Sequence, residues 1–179
     1  MTSASSLAGV VLAGGASSRF GRDKADEIWR GRTLLDWSIA ALDPLCDTIF
    51  VAGRDHPGFA SVADRPRAGL GPLGGLAGAL TAARDKGYDR LLSLPCDTPQ
   101  LPRDLLARVA ASPSATFVAD CPVIGLWPTA DADRLAAWLS EKGAGSVRAW
   151  TAIIGAEPVG TELPIANVNR PDDLAKLGR

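Results

Sequence analysis

The sequence predicts an α/β fold, a three-layer sandwich in which helices cover both faces of a mostly parallel, doubly wound, Rossmann-like sheet. Three observations carry that prediction. Ala8–Leu12 is an unbroken apolar run that stops at Gly14-Gly15, as expected of a central strand covered on both faces. Apolar segments of strand length then alternate with segments whose apolar residues recur at helical spacing. Finally, 179 residues suffice for one domain with a proper core and are too few for two generous ones. Residues 1–179 therefore read as a single domain, with the Ser/Ala-rich residues 1–6 expected to be disordered.

The elements follow in order. Thr33–Leu42 carries Leu34, Leu35, Ile39 and Leu42 at helical spacing and is stopped by Pro44; Thr48–Ala52 is a β-rich strand, completing a βαβ unit. A turn-rich stretch from Gly53 to Gly71 leads into a helix over Pro72–Lys86, with Leu73, Leu76, Leu80 and Ala83 on one face and Gly87 as its C-cap. Arg90–Leu94 is the third strand. Pro102–Ala110 is expected as a helix, Ala115–Ala119 as a strand, and Pro122–Trp127 as an apolar run closed by Pro128. Asp131–Lys142 is amphipathic, Ser146–Trp150 a short helical piece, and Ala166–Val168 a strand ahead of a last helix that starts at Pro171.

Charge and composition exclude several classes of function. A formal net charge of −1 lacks the basic surplus that a polyphosphate backbone requires, so no nucleic-acid partner is expected. The N-terminus has no basic residues of a signal sequence, and Leu7–Ala13 falls well short of the roughly 20 residues that cross a bilayer. Cys46, Cys96 and Cys121 are odd in number and lack C-x-x-C spacing, which suits buried thiols in a reducing compartment. The expected location is cytoplasmic, with no membrane association. His56, the only histidine, lies in a turn and reads as a solvated loop residue, so no histidine base is expected.

Chemistry concentrates first in Leu12-Ala-Gly-Gly-Ala-Ser-Ser-Arg-Phe-Gly-Arg-Asp-Lys24. In an open parallel sheet ligands bind at the carboxyl ends of the strands, where this loop must lie. Gly14 and Gly15 let the backbone approach phosphates, and Arg19, Arg22 and Lys24 supply charge to neutralise a departing pyrophosphate. Neither a dinucleotide fingerprint nor a P-loop fits, because Phe20 occupies the second glycine position and Lys24 follows Asp23.

A second cluster, Leu94-Pro-Cys-Asp-Thr-Pro-Gln-Leu101, begins where the third strand ends. Asp97 is the candidate ligand for Mg²⁺, since a hard cation takes one carboxylate plus phosphate oxygens; an Asx-turn ahead of the next helix explains the same residue. Asp64 to Gly75 forms a third element, in which Gly71 opens a helix N-terminus to an anion and the Asp64 carboxylate can accept from the edge of a base such as guanine. A surface loop ending in a helix start is the competing reading. Asn167 and Asn169 alternate along the expected strand, so both amides can face one ligand, although an ordinary strand end also accounts for them. Arg148, after Gly143-Ala-Gly, can offer charge to an acceptor phosphate, while a helix-to-helix turn explains the glycines equally well.

Taken in this order, the motifs resemble the molybdenum cofactor guanylyltransferase family, within the wider group of MobA-like NTP transferases. The resemblance rests on Leu12, Gly14, Gly15, Arg19, Gly21 and Lys24 in the first loop, on Asp64 and the Gly71-Pro-Leu-x-Gly run, on Asp97 in Pro-Cys-Asp-x-Pro, and on the Asn167-Val-Asn-x-Pro-x-Asp-Leu ending. The first motif is shared with sugar-nucleotide and cytidylyl enzymes, whereas the ending points to the guanylyl branch. Two departures stand out: Gly53 replaces an asparagine common near the base, and Asp26-Glu27 is more acidic than the stretch expected after the lysine. The resemblance implies a fold of the nucleotide-diphospho-sugar transferase type and transfer of GMP from GTP to the phosphate of molybdopterin. Leu12, Ala13, Gly14, Gly15, Asp64 and Gly71 would bind the nucleotide, Arg19 and Lys24 its phosphates, and Asp97 Mg²⁺; Arg148, Asn167 and Asn169 would serve the acceptor. Proteins that deliver or receive the cofactor are its implied transient partners. A transferase of this fold using CTP or a sugar phosphate, and a non-catalytic nucleotide-binding relative, are the alternatives.

Overall fold

Every residue of β1 (Leu7–Leu12) is buried, which places this strand in the middle of a seven-stranded sheet. The computed structural model describes residues 6–14, 23–102, 104–162 and 164–177. After β1 comes a small hairpin of β2 (Ile28–Trp29) and β3 (Arg32–Thr33), turned at Arg30 and Gly31, both with positive φ. Helix α1 (Leu34–Leu42) follows directly, its first turn capped by the Thr33 hydroxyl accepting from the Asp36 N–H at 3.0 Å. Then come β4 (Thr48–Ala52), β5 (Ala60–Val62), α2 (Pro72–Asp85), β6 (Arg90–Pro95) and α3 (Leu105–Ala110). The second half holds β7 (Thr116–Val118), β8 (Cys121–Pro128), α4 (Ala132–Lys142), α5 (Val147–Ile154), β9 (Glu157–Val159) and α6 (Pro171–Lys176).

The strand order is β5-β4-β1-β6-β8-β7-β9. β1 pairs in parallel with both β4 and β6, and β8 alone runs antiparallel to its neighbours, so the mostly parallel, doubly wound sheet expected from the sequence is the one observed. Because β4 and β6 flank β1 on opposite sides, chain connections diverge there and leave a crevice at the carboxyl ends of these strands.

Alternation along β1 divides the core into two layers. Ala8, Val10 and Leu12 pack with Leu73, Leu76 and Leu80 of α2, Leu135 and Leu139 of α4, and Trp127 and Trp150. Leu7 and Val11 face the other way, toward Leu35, Ile39 and Leu42 of α1 and Leu105 and Val109 of α3. Inside this apolar packing, the Trp127 indole donates to the Ser93 hydroxyl at 2.7 Å, and that hydroxyl donates to the Val123 carbonyl. Helix α2 crosses the chain after β5 so closely that a Cβ on Gly78 would sit 2.0 Å from the Ala63 carbonyl oxygen. Among the described residues no helix is long and apolar enough to cross a membrane.

Several boundaries differ from the sequence reading. Ala166–Val168 is not a strand. Its polar-apolar alternation buries Val168 as a strand would, but the Val168 N–H donates to the Asp97 carbonyl at 2.8 Å, in a loop rather than a sheet. The strand near the C-terminus is instead β9, paired in parallel with β7. The third helix starts at Leu105 rather than Pro102, and the fifth continues to Ile154, where Gly155 (φ +66) caps it. The C-cap of α2 is Lys86, one residue before the left-handed Gly87. Of the first six residues, 1–5 lie outside the described ones.

Candidate active site

The carboxyl ends of β4, β1 and β6 lie side by side. Beyond the paired strands, the Ala13 N–H donates to the Ala52 carbonyl at 2.9 Å and the Cys96 N–H to the Leu12 carbonyl at 3.3 Å. Here Gly53 meets Gly14 backbone to backbone: a Cβ on Gly53 would lie 2.3 Å from the Gly14 Cα, and its φ of +90° disfavours any side chain. The contact makes a shelf of bare peptide at the strand ends. Gly14 is exposed on it, while Gly15 and Arg19, together with Gly21, lie outside the described residues.

One side of the shelf belongs to α2. Leu12, Ala52 and the Asp64 carboxylate converge on Gly75, their nearest atoms 3.1, 3.1 and 3.7 Å from where its Cβ would be. Asp64 also accepts from the Gly69 N–H at 3.1 Å, and the Arg65 N–H donates to the Gly74 carbonyl. These bonds fold the glycine-rich loop back onto the first turn of α2. Gly71, with φ +65° and open space around it, stands at the N-cap, leaving the helix N-terminus accessible.

Polar groups dominate the other side. The Lys24 ammonium lies 2.8 Å from Asp97 Oδ2, both side chains about one-fifth exposed, and 3.5 Å from Asn169 Oδ1. Residues 73 and 145 positions apart are thus gathered around one ammonium. Asp97 stands just past β6; Lys24 opens a single 3-10 turn, Lys24–Asp26, whose Ala25 is sunk in the core. Asn169 is held by its neighbours: Val168 is fully buried with Trp29, Leu34 and Leu177, and Asp173 Oδ2 accepts from the Asn169 and Arg170 N–H groups at 2.9 Å. The Asn169 N–H foremost, with the Lys176 ammonium, draws the Asp173 carboxyl below its ordinary pKa.

Cys96, next to Asp97, is a bystander to polar chemistry. Burial, and then the Asp97 charge, push its thiol up to about 12, so it stays neutral at physiological pH. All three cysteines are free, with Cys96 and Cys121 buried.

The structure separates the remaining candidates. Asn167 is exposed on the same segment as Asn169. Arg148 is exposed at the start of α5 and donates to the Ala119 carbonyl at 2.7 Å, at the turn between β7 and β8. That turn lies on the same edge of the sheet as Asp97, two strands further along. His56 is not a solvated residue: its Nε2 is 3.0 Å from Asp36 Oδ1, and its ring meets Phe59. Arg54, which the sequence reading did not single out, lies next to Gly53 and pairs with Asp23 and Asp26 on either side of Lys24. Its only sequence signal is its position just past a strand end.

A glycine shelf, a helix N-terminus and a lysine–aspartate pair on one carboxyl edge suit a triphosphate and define a nucleotide-dependent transferase of the α/β class. The MobA-like NTP transferase domain model matches residues 9–156. The molybdenum cofactor guanylyltransferase of Acidiphilium cryptum is 37% identical over 99% of this chain and 97% of its own length. Among solved structures, molybdopterin-guanine dinucleotide biosynthesis protein A from Archaeoglobus fulgidus superposes with a TM-score of 0.74 at 18% identity, covering 94% of this chain and 95% of that one. A Mycobacterium tuberculosis protein crystallised in complex with manganese gives 0.60 at 18%, with 98% of both chains covered. The chain belongs to the MobA-like NTP transferase family and is a nucleotidyltransferase.

Proposed function

We propose that this protein, acting as a single cytoplasmic domain, transfers GMP from GTP to the terminal phosphate of molybdopterin and releases pyrophosphate. The observation that carries the proposal is the 2.8 Å contact between Lys24 and Asp97 beside the Gly14–Gly53 shelf. It is supported by the curated relatives, which are named molybdenum cofactor guanylyltransferases.

In this reading GTP lies across the strand ends. Its base rests near Leu12, Ala13 and Gly14 with Asp64 facing its edge, and Gly71 admits phosphate to the start of α2. Gly15 and Arg19 belong to the same loop. A divalent cation fits the donor set, because the Lys24 ammonium already marks a position where a carboxylate oxygen and an amide oxygen converge. Among the described residues no three His, Cys, Asp or Glu side chains form a metal cluster, so a hard ion here would take its other ligands from phosphate and water. We assign the ion as Mg²⁺, held by Asp97; bound there, it would neutralise charge on the phosphate oxygens.

Lys24 then transfers its hydrogen bonds from Asp97 to the phosphates. An acceptor phosphate, positioned on the side of Asn169, Asn167 and Arg148, attacks the α-phosphorus in line; a P–O bond forms to the acceptor as the bond to pyrophosphate breaks. The nucleophile is already ionised at neutral pH, so the residues need only orient and neutralise, and no protein base or covalent intermediate enters. Incubation of the purified protein with molybdopterin, Mg²⁺ and each NTP in turn, followed by mass spectrometry of the products, tests the proposal. The expected product is the guanine dinucleotide; a cytidylyl product would replace this reading with its CTP counterpart, and nucleotide binding without product would leave a non-catalytic relative.

A further inference from the structure

Ala25 anchors the Lys24 turn in the core, but the Asp23 and Asp26 side chains that flank Lys24 reach into solvent, and the aim of the Lys24 ammonium at Asp97 depends on what holds them. Lys24–Asp26 is only one 3-10 turn, closed by the Asp26 N–H to Asp23 carbonyl bond at 3.2 Å and the Glu27 N–H to Lys24 carbonyl bond at 3.1 Å. The Asp23 carboxylate caps it through the Ala25 N–H at 3.0 Å. Such a short element has little stability of its own. Asp23 and Asp26 are about half exposed or more, and they place two negative charges beside a site meant for polyphosphate.

Arg54 answers both problems. It leaves the end of β4 one residue after Gly53, the glycine locked against Gly14, so its origin is as fixed as the shelf itself. Its guanidinium spans the turn, with Nη1 3.0 Å from Asp23 Oδ2 and Nη2 2.7 Å from Asp26 Oδ1. Nη2 donates a hydrogen bond to Asp26, while Nη1 meets Asp23 as an ion pair, so the two nitrogens of one guanidinium face one acid each. Burial works against the Arg54 charge, but the hydrogen bond to Asp26 and the two neighbouring carboxylates carry its pKa above the ordinary arginine value.

We infer that Arg54 is a positioning residue for nucleotidyl transfer: it rivets the two ends of the Lys24 turn to the strand that floors the site, aims the Lys24 ammonium at Asp97, and offsets the negative charge beside the phosphates. This rests on the proposed role of Lys24 toward the nucleotide. The acid at Asp26, a departure from the apolar stretch expected there, thereby acquires a partner and a purpose.

The test reads Lys24 itself. In the full-length protein, competitive acylation of lysine amines followed by peptide mass spectrometry compares Lys24 with Lys86 and Lys142 as internal references. Arg54→Ala should raise Lys24 acylation about fivefold, the scale of a lost ion-pair clamp, with Lys86 and Lys142 unchanged. Millimolar guanidinium chloride should return Lys24 toward the wild-type rate where equal sodium chloride does not. Arg54→Lys should remain raised, since a lysine has a single nitrogen where Arg54 places Nη1 at Asp23 and Nη2 at Asp26. Lys24 acylation equal to wild type in Arg54→Ala overturns the inference, and so does an increase shared by all three lysines, which would mark general loosening. Failure of the wild-type protein to turn over any NTP would defeat the proposed reaction and with it the transfer role of Arg54, whereas an unchanged Lys24 acylation in Arg54→Ala would defeat the inference alone.

Discussion

The Lys24 ammonium and the Asp97 carboxylate, 73 residues apart in sequence, lie 2.8 Å apart at the carboxyl edge of the sheet. Each side chain is about one-fifth exposed, so the pair is mostly buried and yet open to a ligand at the edge. Its position argues for use by a ligand. Asp97→Ala should therefore lower turnover with GTP by about 10²–10³-fold, comparable to removing a charge-stabilising group, and lower Tm by only a few degrees, far less than its effect on turnover. Steady-state kinetics and a thermal melt on the same preparation check both halves.

Gly53 makes a second prediction. A methyl group there meets the Gly14 Cα at 2.3 Å and must also adopt φ +90°. Gly53→Ala should cost about 2 kcal/mol or more in stability through strain and clash. It should also weaken GTP binding, because relief requires the shelf to separate. Denaturant titration and nucleotide calorimetry measure the two effects. An unchanged affinity would show that the shelf does not touch the nucleotide.

Ser93 offers a check of the core remote from the site. Its hydroxyl accepts from the fully buried Trp127 indole at 2.7 Å and donates to the Val123 carbonyl. Ser93→Ala strands the indole N–H, and the expected loss is about 1–3 kcal/mol. Chemical denaturation of the variant measures it.

Acidification acts on the C-terminal segment through Asp173. Its folded-state pKa lies below the ordinary value of 3.8, chiefly because the Asn169 N–H donates to it. A depressed carboxyl stabilises the fold above its unfolded pKa and loses that contribution as pH falls through the folded value, so the segment should hold at neutral pH and loosen only below about 4. Asp173→Asn removes the charge at every pH. Hydrogen exchange at neutral pH should then show reduced protection of the Asn169 and Arg170 amides in the variant, with the α2 amides unaffected.

Much of the fold was legible because burial writes a period into the chain. Thr48–Ala52 was bounded correctly, and the start of α2 at Pro72 as well, since a strand covered on both faces and an Ala/Leu helix behind a glycine leave clear patterns. The elements missed are those with little surface to bury. β5 and β9 have three residues each, and the β2–β3 hairpin has two per strand, signalled only by its Arg30-Gly31 turn. Val168 misled for a more specific reason: it alternates with asparagines as in a strand, but the hydrogen-bond partner of its backbone is the Asp97 loop.

In the site, Lys24 and Asp97 could be placed in one crevice from sequence because the loop after β1 and the segment after β6 leave the same carboxyl edge of a parallel sheet; their direct contact could not. Arg54 also follows such an end, but an arginine in a turn has no pattern of its own. Its meaning lies in two acids 28 and 31 positions earlier, a separation no local reading connects.

The central claim is that Asp97 joins a metal ion to the nucleotide triphosphate held beside Lys24. Calorimetric titration of GTP with and without Mg²⁺ tests it most directly. The wild-type protein should bind GTP at least about tenfold more tightly with Mg²⁺, while Asp97→Asn should show the same affinity in both conditions. An Asp97→Asn variant that keeps the full Mg²⁺ enhancement would contradict the account.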